Sequence, residues 1–344
     1  MITKNFLVSH RLKVFDIIKL FAIFLVVWGH VLLHLQNYEF KIWENPLYRG
    51  ISSFHMPLFM MISGFFSAKV MVPFKEFFLK KFHQLIIPSL TFGVIFVISW
   101  HFVCGGGIVK PYVLCYWFLK SAFSCAILYY IAMHFRCRWV GFLITIIVSQ
   151  FIYLYQINWM YIPFIIGGYL FHHKESLIKR GWITTLISGI LYWLMFFSWN
   201  VEMASMGWFK LYKYLFYPNI HNLPFPLFCF VYKMIMGVCG SLFFISLFIE
   251  CAKYFKENRF GNILASWGTL TLGIYLWQAI LLEHIMMKTI NLANIEWVLF
   301  NFVVSPLISV GVLILCGWLT KWMKGNQWLS YIFLGNKNPK SNRE

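Results

Sequence analysis

The stretch from Arg11 to His34, RLKVFDIIKLFAIFLVVWGHVLLH, is long and apolar enough to cross a membrane. Lipid offers no partners to backbone N–H and C=O groups, so such a segment must satisfy them internally, as a helix. Yet it carries Asp16, Lys19, His30 and His34. Ionisable side chains at membrane depth cost free energy and tend to mark functional sites. Lys19 and His30 stand eleven residues apart, about three turns at ~3.6 residues each, and so share a face. Asp16 and His34 fall within about 40–60° of that face. A polar stripe therefore runs up an apolar helix.

The rest of the chain repeats the apolar theme. It is 60% hydrophobic and only 12% charged, against ~25% charged in a soluble domain. Apolar windows of about 20 residues recur, which predicts an all-α polytopic membrane bundle. We place ten spans near 14–36, 48–70, 85–104, 113–134, 139–155, 157–172, 182–200, 224–250, 263–287 and 295–320. Continuous rather than alternating apolar runs argue against a β-barrel. The first apolar region is too long for a signal peptide and lacks a small-residue cleavage site, so it is expected to be retained. One transmembrane domain is expected over 1–325, followed by a partly disordered tail over 326–344. The longest outer loop falls near 201–223. PFKEFFLKKFHQ (Pro73–Gln84) alternates aromatic and basic residues at helical spacing and reads as an interfacial helix.

A formal charge of +18 raises the question of nucleic acid. The distribution of cations answers it. Of 29 Lys and Arg, 20 flank one side of the predicted spans, six flank the other and three lie within spans. This bias predicts cytoplasmic termini in a cell (inner) membrane and attraction to anionic lipid, not to nucleic acid. Eight cysteines show no close pairing motif. Cys104 and Cys115 share the outer side, and sidedness alone leaves them free or bridged. No metal-ligating set is assigned.

At ~1.5 Å rise per residue, the intramembrane polar groups sort by depth. Asp16, Lys19 and Ser63 form an inner tier. His30, His55 and Gln278 form an outer tier, with Lys120 and Lys233 between. Asp16 is about 21 Å along the axis from His30, so any partner orienting that imidazole must come from another helix or from water. Three intramembrane lysines face one well-placed carboxylate, Asp16, so either some are held neutral by burial or the cavity suits an anion.

The first span resembles the opening of the acyltransferase 3 family, whose signature is Arg followed by His after ten residues. Lys19 takes the Arg place and His30 the His place. The resemblance continues through FHMPLFMMISGFF (Phe54–Phe66), KKFHQLIIP (Lys80–Pro88), YWFLKS (Tyr116–Ser121), YIPFIIGGYLF (Tyr161–Phe171) and GTLTLGIYLWQ (Gly268–Gln278). Three places depart from the family. Lys19 keeps the cation without the bidentate fork of Arg. Lys81 and Gln84 stand where relatives often carry two arginines. Gln278 stands where many carry His, and it does not exchange protons near neutral pH.

The resemblance implies a stand-alone membrane O-acyltransferase. It would move an acyl group, usually acetyl, from cytoplasmic acyl-CoA to a hydroxyl of an extracytoplasmic or lipid-linked glycan. Acyl-CoA is then a donor substrate and no permanent cofactor is implied. His30 would be the general base, with Lys19 and Asp16 as further catalytic candidates. His55, Ser63, Lys120, Lys233 and Gln278 are substrate-binding candidates, with Lys120 or Lys233 at the oxyanion. Lys80 and Lys81 are candidates for CoA phosphates. Each residue also has a structural reading: histidines as helix–helix hydrogen-bond partners, Ser63 as a small packing residue, and Lys80 and Lys81 as lipid-facing topology charges. A transporter or flippase of a lipid-linked glycan would also carry a polar stripe, and a non-catalytic component of envelope glycan assembly is a third alternative.

Overall fold

Helices and the turns that join them account for the described residues, with no strand among them. The structure is a computed structural model describing residues 2–35, 42–68, 72–105, 115–152, 154–205, 224–254, 259–290, 292 and 294–336, with backbone alone at 2–12, 104, 154, 253 and 254. Residues 206–223 of the outer loop and 337–344 of the tail therefore lie outside it, as does the Cys104 side chain. Each of the ten predicted spans contains a helix.

Five helical stretches are long and apolar enough to cross a membrane: Lys13–Leu35, Phe74–Val103, Gly181–Ser198, Pro224–Ala252 and Trp297–Gly325. A sixth arises if Arg259–Gly268 and Thr271–Thr289, bent by 60°, count as one. Trp117–Met133 and Arg138–Phe151 are apolar but shorter. Phe102, Trp139 and Phe197 are each 81% exposed, so the outward faces of their helices are apolar, as lipid contact requires.

The chain divides into two units. The first comprises Met1–Ile51, Phe82–Tyr116 and Tyr254–Glu344. Its axis is the opening helix Ile2–Leu35, packed by Arg259–Gly268, Thr271–Ile280 and Ser305–Gly325. Gly268 lies against the Asp16 backbone carbonyl, so closely that a Cβ would overlap it. Trp28 Nε1 donates to Ser305 Oγ at 2.7 Å, and Asn45 Nδ2 to Asn301 Oδ1 at 2.7 Å. Asn45 also caps Pro46–Ser67, its Oδ1 accepting from Leu47 N at 3.0 Å. Proline in the first turn of Ile87–Cys104 and Gly105 in the left-handed region just past its end bound that helix.

The second unit comprises Ser52–Lys81 and Trp117–Lys253. Trp117–Met133, Arg138–Phe151 and Ile157–His172 pack on one another. Pro46–Ser67 crosses Ile157–His172 through reciprocal glycines: Gly64 faces the Phe164 carbonyl and Gly167 the Met61 carbonyl. Small residues allow backbones to approach this closely where lipid supplies no hydrophobic drive. Polar links tie the helices: Tyr161 Oη donates to Thr145 Oγ1 at 2.9 Å, and Ser53 Oγ pairs with Tyr192 Oη at 2.9 Å.

Three local features add detail to these expectations. The ninth segment is not one straight span. It breaks at Thr269–Leu270, where the Thr269 and Leu270 amides bond three residues back, to Ser266 and Trp267. The segment Phe74–Lys81 runs through a π-helical turn, Phe82–Ile86, directly into Ile87–Cys104. Residues Gln327–Leu334, assigned to the tail, form a helix capped by Asn326 Oδ1 and packed on Ile87–Cys104. Cys115 is buried, while the Cys104 side chain lies outside the described residues.

Candidate functional site

The opening helix carries its polar residues in two groups. Near its middle, Lys19 Nζ lies 2.5 Å from Asp16 Oδ1, three residues back on the same face. Lys324 lies within electrostatic reach of both and donates to the Thr269 carbonyl at 2.9 Å. Lys321, three residues earlier, stacks over the Trp267 ring at 4.5 Å. Lys321 and Lys324 thus contact residues beside the break, Trp267 before it and Thr269 within it. Lys321 and Lys324 were legible only as topology charges, because their approach to the opening helix is a tertiary fact.

Further along the helix, His30 and His34 stack, ring centroids 5.6 Å apart and 28° between planes. Glu283 approaches from the Thr271–Thr289 stretch, its Oε1 3.4 Å from His30 Nδ1. The His30 and Glu283 side chains are 31% and 27% exposed, neither sealed in the core. One ligand atom from each of His30, His34 and Glu283 lies within 4.8 Å of the others. Asp16 is thus not the sole carboxylate among the spans, and Glu283 is the one that meets an imidazole. Its sequence signal is a glutamate inside the apolar run ILLEHIMM.

The local backbone explains why Glu283 was hard to place. Leu281–Met286 is π-helical, a turn that holds an extra residue and shifts the faces that follow it. The neighbouring His284 consequently turns elsewhere. It is fully buried, its Nδ1 2.9 Å from Ser99 Oγ and its ring against Phe96 and Trp100. Gln278, on the preceding helix Thr271–Ile280, is buried and its Nε2 reaches only the Tyr275 carbonyl, at 3.4 Å. Its Oε1 has no hydrogen-bond partner among the described residues.

The remaining candidates belong to the second unit. Lys120 Nζ lies 5.2 Å from the Tyr155 ring and Lys233 Nζ 5.4 Å from the Trp159 ring. Tyr155 lies in the short turn Leu154–Gln156, where Tyr155 and Gln156 take positive φ, and Trp159 lies in the first turn of Ile157–His172, its Nε1 donating to Gln156 Oε1 at 2.8 Å. Each of these two lysines thus meets an aromatic ring, and the two rings are four residues apart in sequence. Ser63 is half-buried and adjoins Gly64, which packs on Ile157–His172. His55 is half-buried on the same helix. Lys81 Nζ donates to Ser67 Oγ at 2.7 Å, while Lys80 is exposed.

Within the first unit the arrangement offers a cationic group near the middle of the opening helix and an imidazole–carboxylate pair toward its C-terminal end. A carboxylate accepting from imidazole Nδ1–H leaves Nε2 with its lone pair, ready to take a proton. Comparison with known proteins bears on the chemistry. The acyltransferase 3 profile, described as an acyltransferase domain, matches residues 12–321. Nodulation protein NolL of Sinorhizobium fredii (strain NBRC 101917 / NGR234) is 41% identical over 61 residues, 17% of each chain. NolL of Mesorhizobium japonicum (strain LMG 29417 / CECT 9101 / MAFF 303099) is 38% identical over 80 residues, 22% of this chain and 21% of that one. The chain thus spans about a fifth of the length of these curated relatives. No solved structure matches it. With a profile match over nearly its whole length and helices long and apolar enough to cross a membrane, this chain belongs to the acyltransferase 3 family of membrane acyltransferases.

Proposed function

We propose that the protein is an O-acetyltransferase of the cell (inner) membrane. It takes an acetyl group from cytoplasmic acetyl-CoA and delivers it to a hydroxyl of an extracytoplasmic or lipid-linked glycan. In this reading the ten helical segments span the membrane and both termini are cytoplasmic, in accord with the bias of Lys and Arg. The observation that carries the reading is the approach of Glu283 to His30 at 3.4 Å. On closing to hydrogen-bond distance, Glu283 accepts from Nδ1–H, which orients the ring and holds its proton on that nitrogen. Nε2 then accepts the acceptor's hydroxyl proton as the oxygen attacks the thioester carbonyl, and it returns that proton to the sulfur as the C–S bond breaks, so CoA leaves as its thiol.

The other residues take roles that follow from their charge. Lys19, held by Asp16 and flanked by Lys324, serves the CoA phosphates. Exposed Lys80 and half-buried Lys81 add to the basic approach. Lys120 or Lys233 stabilises the oxyanion, and His55, Ser63 and Gln278 contact the acceptor.

Purified protein in nanodiscs, given radiolabelled acetyl-CoA and a lipid extract, tests the proposal. Label should appear in a glycan-containing lipid with stoichiometric CoA release, and His30→Ala should lower the rate at least ~100-fold. A normally inserted His30→Ala protein that transfers at the native rate overturns it. A transporter reading draws on the 60° break between Arg259–Gly268 and Thr271–Thr289, since broken helices recur at transporter sites. A transporter, or a non-catalytic assembly component, would release no CoA in this assay.

A further inference from the structure

We propose that His30, His34 and Glu283 form a binding site for a divalent transition metal of the zinc class, and that its occupancy switches off proton acceptance by His30. Metal binding stands independently of the function proposed above. The inhibitory consequence rests on it.

The donor set and its spacing carry the inference. Two imidazoles four residues apart lie on one face of the opening helix, a spacing by which helices chelate metals. A carboxylate reaches them from another helix, and the three ligand atoms lie within 4.8 Å of one another. The 3.4 Å between His30 Nδ1 and Glu283 Oε1 exceeds the ~2.7–2.9 Å of a charge-assisted hydrogen bond. It agrees with the ~3.3–3.4 Å edge of a tetrahedron whose ligands lie ~2.0–2.1 Å from a central ion. Bringing the widest pair to that edge takes about 1.4 Å of side-chain movement.

Ligand chemistry narrows the ion. Two nitrogens and one carboxylate oxygen suit zinc, cobalt or nickel, whereas magnesium and calcium call for oxygen throughout. Three protein ligands leave a fourth position open. The π-helical turn at Leu281–Met286 serves the arrangement by aiming Glu283 at His30 while His284 is held on Ser99.

The inhibitory consequence follows from the imidazole itself. A metal on Nδ1 of a neutral ring places the ring proton on Nε2. Nε2 is then a donor and cannot accept the proton of an acceptor hydroxyl. The metal and the transferred proton therefore compete for one ring.

Chelator-stripped protein in nanodiscs, titrated with Zn2+ against a chromogenic chelator, provides the test. We expect one saturable site, weakened at least tenfold in His34→Ala and in Glu283→Gln and unchanged in His173→Ala. Substituting Co2+ should give the visible absorption of a low-coordinate cobalt centre, lost in both site variants. Size-exclusion profiles confirm that the variants remain folded. In the CoA-release assay, Zn2+ should inhibit at concentrations matching its binding curve, with reversal by EDTA. Absence of a saturable site, or a site indifferent to both substitutions, overturns metal binding. Saturation without inhibition overturns the competition. A fully active His30→Ala that leaves Zn2+ binding in the native protein intact removes the base assignment while the metal site stands.

Discussion

Gly268 lies so close to the Asp16 carbonyl that a methyl group there would overlap backbone, not a yielding side chain. This contact brings Arg259–Gly268 against the opening helix, and the same Asp16 holds Lys19 at 2.5 Å. Gly268→Ala must therefore push the helices apart. Overpacking against a side chain costs ~1–3 kcal/mol, and a backbone clash sits at or above the top of that range. We expect a clear fall in Tm for detergent-solubilised Gly268→Ala, with Gly311→Ala, at an open position, as the near-neutral control.

Glu283→Gln separates orientation from mere packing. The amide keeps the size of the carboxylate but can present N–H to His30 and so favour the wrong tautomer. In serine proteases the equivalent change lowers kcat ~10⁴-fold with geometry intact. We expect kcat for CoA release to fall at least ~100-fold here, with KM for acetyl-CoA within about twofold of native. A native kcat would show that Glu283 does not orient the base.

Much of this architecture was legible from apolar run length, because lipid forces each run into a helix whatever its neighbours. All ten predicted spans hold helices, and the blocks from Phe54 to Gln278 pointed to the family that the profile identifies. What escaped depends on tertiary contact or on helical register. The break after Gly268 lies beside a close approach to Asp16, a tertiary contact that hydropathy does not encode. The π-helical turn at Leu281–Met286 disturbs the 3.6-residue period, so spacing from Gln278 misplaces Glu283. The family block also stops at Gln278, five residues short of that glutamate. Gln327–Leu334 was lost because a short helix beside a polar tail has no span-length signal.

Asn326 gives a sharper check on that last element. Its Oδ1 accepts from Trp328 N at 3.0 Å and Leu329 N at 3.2 Å, satisfying amides that the first turn leaves unpaired. Asn326→Ala should cost about 1 kcal/mol of local helix stability, while Asn326→Asp preserves the cap. Hydrogen exchange across Gln327–Leu334 reads this directly: about fivefold faster in the alanine variant and near native in the aspartate variant.

Lys19 tests whether the cationic group binds the donor. It stands where the family carries Arg, so charge at this place is expected to matter more than its exact shape. Removing a charge-assisted phosphate contact costs ~1.5–3 kcal/mol, which corresponds to roughly 10- to 150-fold in affinity. Lys324, within reach of Lys19, supplies part of the field and moderates the loss. We therefore expect Lys19→Met to raise KM for acetyl-CoA about tenfold with kcat nearly unchanged, and Lys19→Arg to keep KM near native. Acetyl-pantetheine, which lacks the nucleotide phosphates, should show no difference between Lys19→Met and native protein. If instead kcat falls for both donors, Lys19 acts at the reacting thioester and its assignment to the CoA phosphates is wrong.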